Sequence, residues 1–249
     1  LRGFRLDGRR ALVTGARRGL GRAIAQALVE AGARVVISHE GPADMAEAAA
    51  SATAIGASAA LPADLAAPEA PAALIAATAA LLGGLDILVC NAAAERREAL
   101  EEIAAESTDL LLAVNIRATL LLVQAAVPHL AREGGRILLL GSVQAIRPNA
   151  HQLVYAATKA AIGNLNRNLA KQLASRGIAV NLLAPGAIAT EGNAVALAQP
   201  GYRSAVEARI PAGRLGVPGD VAGAAVYLCG PAAGYVTGAE LAVDGGLAL

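Results

Sequence analysis

Short apolar runs rich in β-branched residues alternate along the chain with longer stretches whose apolar positions recur at helical spacing. The short runs predict strands at Ala11–Thr14, Arg34–Ser38, Ala57–Leu61, Leu85–Cys90, Arg136–Gly141, Ile178–Leu183 and Leu241–Val243. The longer ones predict helices at Gly21–Ala31, Ala43–Ala54, Pro68–Leu82, Thr108–Leu130, Val154–Arg176, Tyr202–Arg209 and Asp220–Cys229. Gly32 stops the first helix, and the pair Gly83-Gly84 separates the third helix from the fourth strand. A strand followed by a long helical crossover, repeated along the chain, requires a parallel sheet with helices on both faces. The expected class is therefore α/β, a doubly wound parallel sheet of about seven strands.

Composition supports a packed core. Of 249 residues, 55% are hydrophobic and 16% charged, far from the make-up of a disordered chain. No Gly-, Ser- or Pro-rich linker divides the sequence, so residues 1–249 read as one domain. The least regular part is 185–214, which carries Pro185, Pro200 and Pro211 and reads as a substrate loop. Twenty-one basic against 20 acidic residues leave a formal charge of +1, no footprint for nucleic acid or an anionic membrane. The apolar stretch Leu110–Leu130 contains Asn115, Arg117, Gln124 and His129, costly in lipid, and reads as a buried helix. No long apolar segment precedes Arg9 and Arg10, so no signal peptide is expected. Cys90 and Cys229 cannot frame a disulfide fold, and a reducing cytoplasm is the simpler setting.

The first predicted strand runs into Thr14-Gly15-Ala16-Arg17-Arg18-Gly19-Leu20-Gly21 and then into a helix. Strand, glycine-rich turn and helix in that order make a Rossmann-like dinucleotide site. Gly15 makes the tight turn, Gly19 lets the backbone approach a pyrophosphate, and Gly21 permits close packing. The helix N-terminus offers free N–H groups to the phosphates. The end of the second strand reads Ser38-His39-Glu40, with His39 where the adenosine ribose is expected. Arg17, Arg18 and Ser38 favour a 2′-phosphate, whereas Glu40 argues against one; the balance leans to NADP(H), with NAD(H) open. Asp64-Leu65, after the third strand, meets the adenine or merely caps the next helix.

Tyr155 and Lys159 lie four residues apart, on one face of a predicted helix. Ser142 ends the fifth strand, at the sheet edge where ligands collect. These residues suit carbonyl reduction and its reverse. Ser142 donates a hydrogen bond to the developing oxyanion, and Tyr155 supplies or removes a proton. An ammonium at Lys159 favours the phenolate and brings the phenol's pKa down, and Lys159 also holds the nicotinamide ribose. The plain alternative is a solvent-facing Tyr–Lys pair. Gln144, Arg147, His151, Gln152, Glu191 and Asn193 are placed around the substrate entrance. His39, His129 and His151 are too scattered for zinc, and no metal is expected.

With these motifs together, the chain resembles the short-chain dehydrogenase/reductase family over nearly its whole length. Thr14 to Gly21 match the family's glycine turn. Asn91-Ala92-Ala93-Ala94 matches its Asn-Ala-Gly segment, with alanine in place of the glycine. The resemblance implies that Asn91, Ala92 and Ala93 line the cofactor. It implies that Asn115 holds a helix kink and a water linked to Lys159, and that Ser142, Tyr155 and Lys159 are catalytic. It places Pro185 and Gly186 beside the nicotinamide and Ile188 and Thr190 at its carboxamide. Val243-Asp244-Gly245-Gly246 matches the family ending. The implied activity is NAD(P)-dependent hydride transfer to or from a small-molecule ketone or secondary alcohol. Oxoacyl-thioester reduction and sugar or polyol oxidation both fit, and a non-catalytic nucleotide-binding regulator is the alternative from another class. The resemblance also implies a homotetramer or homodimer, joined through apolar surfaces at Leu110–Val123 and Leu241–Leu249.

Overall fold

A computed structural model describes residues 2–130 and 134–249. Seven strands form one sheet, in the order β3-β2-β1-β4-β5-β6-β7. They are β1 (Arg10–Val13), β2 (Arg34–His39), β3 (Ala59–Pro62), β4 (Ile87–Cys90), β5 (Gly135–Leu140), β6 (Ile178–Pro185) and β7 (Glu240–Val243). Every pairing is parallel. The expected doubly wound α/β sheet is therefore present. Its order reverses between β1 and β4, and that point opens a crevice at the carboxyl ends of the strands.

Strand side chains alternate between two cores. Leu12, Leu88, Ile137 and Leu139 face one apolar cluster, packed under α3 (Ala70–Leu82), α5 (Ala118–Ala126) and α6 (Leu153–Leu173). Ala11, Val13, Val89, Leu138 and Leu140 face the other, under α1 (Gly19–Glu30), α2 (Met45–Ile55) and α9 (Pro218–Cys229). Burial on both sides explains why the central strands read as unbroken apolar runs rather than alternating ones.

The boundaries differ from the sequence expectation where side chains bond to the backbone. Thr14, expected inside β1, lies beyond it. Its hydroxyl accepts from the Asn91 and Ala92 amides at 3.0 and 3.1 Å, tying the first turn to the end of β4. The expected single helix Thr108–Leu130 is three segments: α4 (Ala105–Leu111), a π-helical turn over Leu112–Arg117, and α5. That stretch, Ala105–Ala126, is long and apolar enough to cross a membrane. Its Leu111, Ala118, Leu122, Val123 and Ala126 are buried in the fold, while Leu112 and Leu120 are exposed. The expected irregular loop 185–214 holds two short helices, α7 (Ala194–Leu197) and α8 (Tyr202–Glu207).

Candidate active site

The glycine turn is built as its residue types require. Gly15 has φ +61°, and a Cβ there would lie 2.8 Å from the Ala92 Cα. A Cβ on Gly21 would lie 2.5 Å from the Gly15 carbonyl oxygen, so the third glycine serves contact within the turn itself. Asn91 locks the arrangement by donating from Nδ2 to the Thr14 and Gly15 carbonyls, both at 2.9 Å. Among the described residues no non-glycine residue has a positive φ, so Ala93 takes its glycine's place on ordinary backbone. The Gly19 amide donates to Glu191 Oε2 at 3.0 Å. An anionic oxygen thus already rests on the helix N-terminus, which fits the site to a phosphate.

Around the second strand most of the expected residues are already engaged within the protein. Ser38 is 1% exposed, and its hydroxyl accepts from the Gly15 amide at 3.3 Å. It braces the turn. His39 is also buried, its Nδ1 bonded to the Gly41 carbonyl at 3.0 Å. Arg17 is paired with Asp44 at 3.2 Å and with Glu47. Arg18 takes part in neither pair and is exposed, as is Glu40. Asp64 accepts from the Ala66 amide at 2.9 Å, the local capping alternative, and the Leu65 side chain lies in the core.

A cavity of 510 Å³ opens beside the turn. It brings together Leu20, Asn91 and Ala93 from the cofactor side and Ser142, Tyr155 and Lys159 from the reactive set. Pro185, Gly186, Ile188 and Thr190 close it from the far side. Gly186 is fixed there by donating its amide to the Val243 carbonyl at 3.0 Å, against the family-like ending. Among the polar residues expected at the entrance, Gln144, Arg147, Gln152 and Asn193 line the cavity. His151 and Glu191 do not. His151 is exposed and engaged through its backbone with Glu98 and Asn149. Glu191 is held on Gly19 instead.

Lys159 is 5% exposed and donates from Nζ to the Leu140 carbonyl at 2.8 Å, immediately before the Gly141-Ser142 corner. Its ammonium lies 5.5 Å from the centre of the Tyr155 ring. Burial pulls the Lys159 pKa down to about 8, against the opposing charge of Glu95 and then of Cys90. The Tyr155 phenol moves the other way. Burial first and the Glu95 carboxylate second push it above its ordinary value, and a hydrogen bond with Ser142 pulls it back. The expected direction is reversed: burial and the Glu95 carboxylate outweigh the Ser142 hydrogen bond, and Tyr155 stands as a protonated acid.

Asn115 is 2% exposed at the π turn. Its Oδ1 accepts from the Ala94 amide at 2.8 Å, and Nδ2 donates to the Ala94 carbonyl at 2.9 Å and to Thr158 Oγ1 at 3.0 Å. It clamps the loop after β4 to the helix that carries Tyr155. Glu95, next on that loop, lines the cavity and went unnoticed in the sequence because no motif marks it.

The family described as "Enoyl-(Acyl carrier protein) reductase" matches residues 15–248. The chain belongs to the short-chain dehydrogenase/reductase family. It is 39% identical over 248 residues to 3beta-hydroxysteroid dehydrogenase 1 of Eggerthella lenta, covering 98% of this chain and 95% of that protein. It is 36% identical to gluconate 5-dehydrogenase of Gluconobacter oxydans, covering 98% and 96%. Among solved structures, it is similar to the Pseudomonas aeruginosa RhlG/NADP active-site complex, with a TM-score of 0.93, 36% identity and 100% coverage of both chains. As a short-chain dehydrogenase/reductase, the protein is an NAD(P)-dependent oxidoreductase of carbonyl and alcohol substrates.

Proposed function

We propose that one domain, residues 1–249, binds NADP(H) and reduces a ketone, or oxidises the matching alcohol, with Tyr155 as proton donor and acceptor. The observation that carries this is the convergence of Ser142, Tyr155 and Lys159 in one cavity with Leu20, Asn91, Pro185, Gly186, Ile188 and Thr190. The α1 N-terminus with Gly15, Gly19 and Gly21 holds the pyrophosphate, and Ile188 and Thr190 hold the nicotinamide end. When bound, the dinucleotide supplies or takes up the hydride. Ser142 donates to the substrate oxygen. Tyr155 gives that oxygen its proton, and the Lys159 ammonium offsets the negative charge that builds there.

The choice of NADP(H) is supported by the exposed Arg18 and by the NADP in the similar RhlG complex. A homotetramer is supported by the exposed apolar side chains of Leu112 on the π turn and Leu120 on α5, and by the exposed Leu249. Two unpaired, buried thiols at Cys90 and Cys229 fit a cytoplasmic setting.

A panel of ketones and secondary alcohols, assayed in parallel with NADP(H) and NAD(H), tests the reading. Turnover with NADPH on at least one ketone is expected. Tyr155→Phe should still bind NADPH and lose turnover about 100-fold or more. Near-normal turnover in that variant would overturn the assignment of Tyr155.

A further inference from the structure

Glu95 places a half-exposed carboxylate on the wall of the cavity that holds Ser142, Tyr155 and Lys159. Its backbone position is set by the Asn115 clamp on Ala94, made through both the amide and the carbonyl. Its Oε1 accepts from Gln152 Nε2. Gln152 is 2% exposed, so this partner is itself locked in place. The Gln152 carbonyl accepts from Gln144 Nε2 at 2.6 Å, and the Gln144 carbonyl accepts from the Asn149 amide at 3.2 Å. The Gln144 amide donates to Ser142 Oγ at 3.2 Å. Each amide therefore has one orientation, and the chain of bonds connects Ser142 to the carboxylate.

Arg97 Nε stands 3.9 Å from the same Oε1. Among the described residues Oε2 accepts no hydrogen bond. Glu95 lines the same cavity as Ser142, Tyr155 and Lys159, and its charge raises the pKa of both Tyr155 and Lys159. A carboxylate accepts hydrogen bonds and donates none when ionised. It pairs with hydroxyls and repels a second carboxylate.

We infer that Glu95 is a specificity-determining residue that accepts a hydrogen bond from a hydroxyl on the carbon next to the reacting one. The substrates it selects are α-hydroxy ketones and polyols, and it turns away α-keto acids. The inference rests on the reading of Tyr155 as the reactive centre.

The test uses 1-hydroxy-2-butanone, 2-butanone and 2-oxobutanoate as four-carbon probes for NADPH-dependent reduction. The native protein, Glu95→Gln and Glu95→Ala are compared by kcat/KM, with an NADPH titration to show that each variant is folded. The native protein should prefer the hydroxy ketone over butanone about tenfold or more and disfavour the keto acid. In Glu95→Ala the hydroxyl preference should fall about tenfold and the keto acid should gain relative to butanone. Glu95→Gln, which keeps an acceptor oxygen and the native shape, should lose part of the hydroxyl preference and the discrimination against the acid. Unchanged ratios in both variants overturn the role of Glu95 alone. A native protein that binds NADPH and reduces no ketone in this set or the wider panel overturns the underlying reading as well.

Discussion

Glu191 caps helix α1 by accepting the Gly19 amide hydrogen at 3.0 Å, across 172 residues of sequence. The carboxylate sits where the helix N-terminus and the glycine turn are shaped for a dinucleotide phosphate. Two anions cannot share that amide, so with the pyrophosphate placed at Gly19 as proposed, Glu191 leaves when the cofactor binds. The contact therefore opposes cofactor binding. Glu191→Gln should bind NADPH about fivefold more tightly, as expected for removing a charge at a helix terminus worth about 1 kcal/mol. Fluorescence titration of NADPH measures this directly. Weaker binding in the variant would instead make Glu191 a brace for the loop.

The buried Lys159, with its pKa near 8, predicts the pH dependence of reduction. Below that value the ammonium is charged and Tyr155, whose own pKa is raised, keeps its proton. As pH rises through about 8, Lys159 loses its charge and the oxyanion loses a stabilising partner. kcat/KM for reduction should be level below about pH 8 and decline above it. Glu95 holds the Lys159 value up, so in Glu95→Gln the decline should begin at lower pH. A pH–rate series on both proteins checks the position and the displacement.

The sheet, the glycine turn and the Ser142, Tyr155 and Lys159 set were legible because each leaves a local pattern: periodicity, fixed glycine spacing, or a shared helix face. What was not legible depends on distant partners. Nothing local in Ser38 says that its hydroxyl turns inward to Gly15. The same holds for Glu191, whose partner is 172 residues away in sequence. The phenol's direction of shift is not legible, because spacing shows that Lys159 is near but not how deeply both groups are buried. Glu95 was missed for a related reason. Glu95 is half-exposed on a loop, and only its place on the cavity wall and its bond to the buried Gln152 make it part of the site.

Arg17 and Arg18 look equivalent in sequence, and the structure separates them. Arg17 is held between Asp44 and Glu47, so its charge is already neutralised. Arg18 is exposed and, in the proposed NADP(H) site, is the arginine of the two that meets the 2′-phosphate. Arg18→Ala should raise KM for NADPH about tenfold or more while leaving NADH little changed, whereas Arg17→Ala should have the smaller effect. Initial-rate kinetics with the two cofactors distinguish the variants. A larger effect at Arg17 would show that the acidic pair yields to the phosphate.

Asn115 links helix geometry to the reactive loop. The π turn over Leu112–Arg117 adds a residue to the helix. Returning it to regular α geometry would rotate one half against the other by about 100°. Leu111 is buried on one side and Leu122, Val123 and Ala126 on the other, so the core resists that rotation. Asn115→Ala should therefore keep its π turn and its far-UV circular dichroism, and lose the three side-chain bonds to Ala94 and Thr158. Stranding the part-buried Ala94 groups should cost about 1–3 kcal/mol in urea unfolding. Activity should fall further than stability explains, because Glu95 follows Ala94 directly and its carboxylate is then no longer held at a fixed place. Asn115→Asp keeps an acceptor for the Ala94 amide but has no donor for its carbonyl, and should fall between the two. A loss below about 1 kcal/mol in Asn115→Ala, with native activity, would mean that the core alone positions the loop.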